Sequence, residues 1–202
     1  MTLALEGFSG IGSALLFLVA CVVSSNFIFS RALGVMPFAN GGDRVKASLG
    51  MGVWTTVVMT AASLICFVIY QWVLVPLGVE YLALVCFLAV IAALTLLLEQ
   101  IQKKRNPEKH SALGKYFPLI LGNSAVLGVV CLNTAGQYDL VKSVLSGAFG
   151  GIGFLVAIVL IAAVRERLET SKIPKAFRGF PITLVSAGLM SLVFMGFMGV
   201  VK

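Results

Sequence analysis

Charge is scarce in this chain, and what little there is comes bunched. Asp, Glu, Lys and Arg make up 11% of the residues, apolar side chains 59%, and the mean hydropathy is +1.04. That balance excludes an ordinary soluble domain, about 25% of whose residues are charged. Catalytic signatures are missing as well: no Ser/His/Asp arrangement, no H-E-x-x-H, no phosphate loop and no dinucleotide fingerprint. The chain therefore does not read as a stand-alone enzyme. Its one histidine, His110, stands in a charged loop and is read as solvated. No C-x-x-C pair occurs. Cys21, Cys66, Cys86 and Cys131 all lie inside apolar stretches, where they read as small buried hydrophobes. The opening MTLALEGFSG lacks a basic n-region, and no small-residue cleavage site stands out. The first apolar segment is therefore read as a retained helix and not as a signal peptide.

Against these absences stands a strong pattern. Six segments, 10–29, 49–70, 81–101, 116–132, 143–164 and 181–201, roughly reach the length that crosses a bilayer core, about 20 apolar residues. Thirteen of the fifteen Lys and Arg residues fall in three clusters between them. These are Arg31, Arg44 and Lys46; Lys103, Lys104, Arg105, Lys109 and Lys115; and Arg165, Arg167, Lys172, Lys175 and Arg178. The alternate turns carry Glu80, or Asp139 with Lys142. By the positive-inside rule the three basic loops are cytoplasmic and both termini lie outside. The formal charge of +7 is thus a topology signal. Without an aromatic-interleaved basic surface it points to anionic lipid headgroups or an acidic cytoplasmic partner and not to nucleic acid.

The expected fold is an all-α integral membrane protein of six transmembrane helices, a single membrane domain over residues 1–202. Its two three-helix halves, approximately 1–101 and 116–202, would have opposite orientation, an inverted three-plus-three repeat with two broken helices. The first segment runs through Ser24-Ser25-Asn26 into Ala32–Phe38, a stretch too short to span, and the fourth contains Gly122-Asn123-Ser124. Asn26 and Asn123 are the helix-break polar residues. A bare amide at membrane depth costs about 2–7 kcal/mol. Each Asn therefore either ties off backbone groups freed by the break or helps frame a cofactor or ion path. Gly147 and Gly150-Gly151-Ile152-Gly153 permit close helix packing. Glu99 and Gln100 are placed at the interface beside a basic loop, and Arg165-Glu166-Arg167 anchors the end of the fifth segment.

Several blocks then become recognisable. Leu33–Phe38, Phe117-Pro118-Leu119-Ile120, Asn123–Val129, Arg165-Glu166-Arg167-Leu168, Phe177-Arg178-Gly179 and Ala187–Leu192 resemble, in the same order, the small membrane subunits of the Rnf and Nqr respiratory complexes. The likeness covers nearly the whole chain and is closest to the group formed by the A subunit of Rnf and its counterpart, the E subunit of Nqr. It implies membership of an ion-pumping redox complex that couples electron flow between ferredoxin, or quinone, and NAD to Na⁺ or H⁺ movement across the bacterial inner membrane. It also implies partners: a homologous six-helix subunit of opposite topology, and flavoprotein and ferredoxin-like subunits. The cofactor it implies is a [2Fe-2S] cluster shared with the homologous subunit, to which each chain gives one cysteine from each broken helix.

At those ligand positions this chain departs from the pattern. The family's L-G-x-C-P-F has Met36 in place of its cysteine, and N-C-A-V-L-G-V has Ser124. Met36 and Ser124 thus mark the cofactor-binding positions, yet neither supplies a thiolate, so an intact cluster is not expected here. Cys131 is seven residues from Ser124, about 10 Å along a straight helix, and neither it nor Cys21 can be assumed to replace the missing ligands. The alternative reading is a non-redox transporter or structural subunit that re-uses the fold.

Overall fold

Backbone N–H and C=O groups in hydrocarbon must bond within their own segment, which for an open chain means helix. The computed structural model describes residues 17–19, 21–22, 26–34, 45–105, 117–172 and 174–197, and among these there is no strand. The helices are α1 (Val45–Ile69), α2 (Ala83–Arg105), α3 (Phe117–Leu121), α4 (Ser124–Ala135), α5 (Leu140–Glu169) and α6 (Phe180–Gly196). Four stretches are long and apolar enough to cross a membrane: Ser48–Leu77, Glu80–Lys104, Pro118–Ala135 and Leu140–Leu168. Phe180–Gly196 is a shorter apolar helix. These correspond to the second to sixth expected segments. Of the first, only Phe17–Val19, Cys21–Val22 and the residues from Asn26 onward are described.

The molecule is organised around α1 and α5, which run antiparallel. Gly52 faces Leu155, Gly151 faces Thr56, and Gly147 faces the Met59 carbonyl and Ser63. A Cβ on Gly151 would stand 2.7 Å from Thr56 Cα, so the two backbones approach as closely as glycine allows. The other glycine face of α5 receives the broken first segment. A Cβ on Gly150 would meet Phe27 Cε2 at 2.5 Å, and one on Gly153 would meet the Cys21 carbonyl at 3.0 Å. One glycine cluster thus serves two neighbours, with Gly147 and Gly151 one turn apart toward α1, and Gly150 and Gly153 toward the break. The core follows this axis, from Met51, Met59 and Cys66 of α1 through Phe154 and Ile158 of α5 to Val126 and Val129 of α4.

Outside this centre the helices turn apolar side chains outward. Leu84, Val85, Leu88, Leu96 and Leu97 of α2 are exposed, as are Leu184, Leu189, Leu192 and Val193 of α6. A water-soluble domain would not present such faces, whereas lipid or another membrane subunit accommodates them. Hydroxyl groups inside the helices are tied to the preceding turn: Thr55 donates to the Met51 carbonyl, Thr56 to Gly52, Thr95 to Ile91 and Thr183 to Gly179.

The helix α1 does not end at Ile69. It passes through a π turn, Tyr70–Leu74, into Val75–Leu77. Pro76 explains the change of register. It lacks an N–H for the Trp72 carbonyl and its ring crowds that carbonyl, so the helix widens and the Val75 N–H bonds Tyr70 instead. Gly78, at φ +66°, then stops the helix, with its N–H on the Val75 carbonyl at 3.1 Å.

Candidate functional site: the junction of two broken helices

Each break is built on an asparagine. Asn26 is fully buried. Its Nδ2 donates to the Val22 carbonyl at 2.9 Å and to the Gly153 carbonyl of α5 at 2.8 Å. Its Oδ1 accepts from the Ile28 N–H at 3.0 Å and the Phe29 N–H at 3.4 Å. Two donors and two lone pairs are all in use, which is the whole capacity of an amide. The chain then turns through Ser30→Asn26 and Leu33→Phe27 backbone bonds and leaves the turn with Ala32 at φ +53° and Gly34 at φ +78°. Ser191 of α6 donates its hydroxyl to the Phe29 carbonyl, and Phe194 packs on Phe29 with ring centroids 4.5 Å apart. The first break is thereby closed from α5 on one side and α6 on the other.

The second break separates α3 from α4. Asn123 adopts an extended conformation (φ −76°, ψ 107°) and caps α4, its Oδ1 accepting from the Ala125 N–H at 3.0 Å. It is buried like Asn26, but its Nδ2 has no hydrogen-bond partner. The sequence leaves open whether each asparagine ties off its break or frames a path; in the structure Asn26 bonds backbone groups through both its donor and its acceptor atoms, and Asn123 through its Oδ1.

The breaks meet. The Gly34 N–H, at the end of the first, donates to the Ser124 Oγ at the start of α4, at 2.9 Å. A Cβ on Gly34 would stand 2.8 Å from Phe154 Cε2 and 2.9 Å from Asn123 Oδ1, so the contact depends on glycine for both space and φ. Leu33 fills the space above Gly128 of α4 in the same way. Ser124 itself remains open to the outside of the chain. Met36 lies outside the described residues, as do Ser24, Ser25 and His110.

What this junction can hold follows from its donors. Position 124 offers a neutral hydroxyl that already accepts a backbone N–H. A thiolate-held iron–sulfur cluster does not fit that donor. Cys66 lies in the core and Cys21 is buried against α5, while Cys86 and Cys131 are partly buried; all four are free thiols. Among the described residues no group of three or more His, Cys, Asp or Glu side chains is arranged to hold a metal ion.

Two further features sit at opposite ends of the molecule. Between the end of α5 and the start of α6 a cavity of about 280 Å³ is lined by Arg165, Arg178 and Thr183, at the basic end. At the other end, a larger cavity of about 620 Å³ is lined by Ser63, Asn133, Ser143, Glu80 and Asp139. Tyr138, in the turn beside it, has its phenol pKa raised by burial and then by Cys21, with the Arg31 guanidinium acting in the opposite direction. Sequence reasoning misses Asn133, although it is a third amide within an apolar helix and the argument applied to Asn26 and Asn123 applies to it equally.

The sequence model of the Rnf-Nqr subunit family, described as membrane proteins, matches residues 14–201. The chain belongs to this family. It is 45% identical over 182 residues to the A subunit of the Na⁺-translocating ferredoxin:NAD⁺ oxidoreductase complex of Acetobacterium woodii, covering 90% of this chain and 95% of the relative. It is 43% identical over 188 residues to the A subunit of the ion-translocating oxidoreductase complex of Actinobacillus pleuropneumoniae, covering 93% and 97%. To the Shewanella amazonensis protein of the same description it is 40% identical, with 93% and 98% covered. The joined segments Leu33-Gly34 and Asn123-Ser124 thus lie well inside a family match that spans nearly the whole chain.

Proposed function

We infer that this chain is a membrane subunit of an Rnf-type ion-translocating oxidoreductase complex, a non-catalytic scaffold through which other subunits couple electron transport to ion movement. The observation that carries the reading is the Gly34–Ser124 hydrogen bond at 2.9 Å. It joins the two family blocks, ninety residues apart, at one crossing point that is buried at Gly34 and open at Ser124. A structure that places irregular backbone at such a point has to cover it with protein or a water-filled cavity. The exposed apolar faces of α2 and α6 support assembly with further membrane subunits. One of these is, on this reading, a homologous six-helix chain of opposite topology.

The two halves, approximately 1–101 and 116–202, are inverted repeats, and both termini lie on the extracytoplasmic side of the bacterial inner membrane. The antiparallel α1 and α5 supply the pseudo-equivalent central helices, and the basic loops supply the orientation. Ser124, at the crossing point, and Met36, in the sequence block Leu33–Phe38, occupy the positions where the family resemblance implies cysteines, and on this reading the chain contributes no thiolate to a [2Fe-2S] cluster. Its residues instead hold the geometry: Asn26 and Asn123 fix the breaks, and Gly34 and Ser124 lock them together.

Affinity purification from mild-detergent membranes tests the assembly. The tagged chain should bring down, in fixed ratio, a flavoprotein subunit together with a homologous six-helix chain. Recovery as a lone chain from membranes in which those subunits are made would overturn the reading. Topology reporters fused after Lys109 and after Tyr138 should report opposite compartments, and a shared compartment would reject the orientation.

A further inference from the structure

The cavity of about 620 Å³ at the end away from Arg165 and Arg178 has a chemistry that the break junction does not use. It lies among α1, α4 and α5, and its floor is polar. Asn133 is 6% exposed there, and its Nδ2 donates to the Ser143 carbonyl at 3.2 Å and to the Ser63 Oγ at 3.4 Å. A carbonyl can only accept, so the Ser143 bond fixes which way the amide points. The Asn133 Oδ1 is thereby turned away from Ser143 and is left buried with no donor. A buried amide oxygen without a partner is destabilising unless something else bonds it, and native folds leave few of them.

The surroundings say what kind of group would do so. Glu80 and Asp139 stand among the cavity's lining residues, beside the phenols of Tyr70 and Tyr138. Asp139 occupies the N-cap of α5, where a carboxylate ordinarily bonds the first-turn N–H groups, yet it makes no such bond. Its negative charge is left to the cavity. The π turn at Tyr70–Leu74, forced by Pro76, brings Tyr70 and Trp72 to the lining. Opposing charge comes from Lys142 on the first turn of α5, and Arg31 acts on Tyr138.

We propose that this cavity binds a hard cation that keeps part of its water shell, with Asn133 Oδ1 as an inner ligand and Glu80 and Asp139 supplying charge at the mouth. The available donors are oxygens: carboxylate, amide, phenol and hydroxyl, the set that suits hard cations and not soft ones. The volume far exceeds that of a bare ion, so water completes the coordination. The proposal goes beyond the redox assembly and stands on the cavity alone. It holds whether or not any electron passes through the neighbouring junction.

The test uses the purified complex in lipid nanodiscs in choline chloride, titrated with NaCl and followed by the sodium NMR linewidth. A parallel titration adds CaCl₂ to displace the bound sodium. The wild-type complex should show a saturable component. In the Glu80→Gln, Asp139→Asn double variant, whose changes are at exposed side chains, that component should weaken about tenfold. Asn133→Ser should weaken it as well, with thermal unfolding measured to confirm that the variant is folded. Displacement by Ca²⁺ identifies a divalent-preferring site, and resistance to it a monovalent one; either meets the proposal. Equal saturable binding in the wild type and the carboxylate variant, or no saturable sodium component in the wild type, overturns it.

Discussion

The two helix breaks use the same residue to different ends. Asn26 spends all four of its hydrogen-bonding positions within the chain and ties the first break to α5 through the Gly153 carbonyl. Asn123 spends one acceptor on capping α4 and keeps an unpartnered Nδ2 beside the crossing point. The first break is a lock onto α5 and α6. The second is a cap with spare capacity, set next to the Ser124 hydroxyl, which is open to the outside of the chain. Chemistry specific to the assembly is therefore to be sought at the second break, and fold stability at the first.

That difference predicts an order of effects. Asn26→Ala should be the most damaging, because it strands the Ile28 and Phe29 N–H groups and the Val22 and Gly153 carbonyls together. A loss of about 3–5 kcal/mol is expected, read as loss of folded protein in detergent. Gly34→Ala comes next, at about 2 kcal/mol, since it strains a residue at φ +78° and presses a methyl to 2.8 Å from Phe154. Asn123→Ala should cost about 1 kcal/mol, the usual value of a lost N-cap, because no partner of its Nδ2 is lost. Chemical denaturation of the three variants side by side measures the order. A cost at Asn123 equal to that at Asn26 would mean that Nδ2 is bonded in the assembled complex and that the second break is also a lock.

Much of this was legible in the sequence because the bilayer imposes simple rules. Apolar runs became helices, and the Asn-Gly-Ser punctuation became breaks. The glycine cluster at Gly147–Gly153 became the place where three segments approach. Segment ends were less legible. The second segment, expected at 49–70, continues to Leu77, because Pro76 shifts the register to a π turn instead of ending the helix. The fifth, expected at 143–164, runs from Leu140 to Glu169, its polar ends extending past the apolar stretch. Asn133 escapes notice because no glycine or serine beside it advertises a break. Its significance comes from Ser63, seventy residues away, and Ser143, which only the fold brings to it. That the breaks touch through a backbone N–H and a hydroxyl was likewise beyond the sequence, although both residues lie within the recognised blocks.

The central proposal is that this chain offers no thiolate where its two breaks meet. The direct measurement is iron content and low-temperature EPR of the purified complex, wild type against the Met36→Cys, Ser124→Cys double variant. The account predicts that the double variant gains iron and a [2Fe-2S] signal absent from the wild type. Equal iron and the same signal in both, with that signal lost in Ser124→Ala, would show a cluster already held at this site and would contradict it.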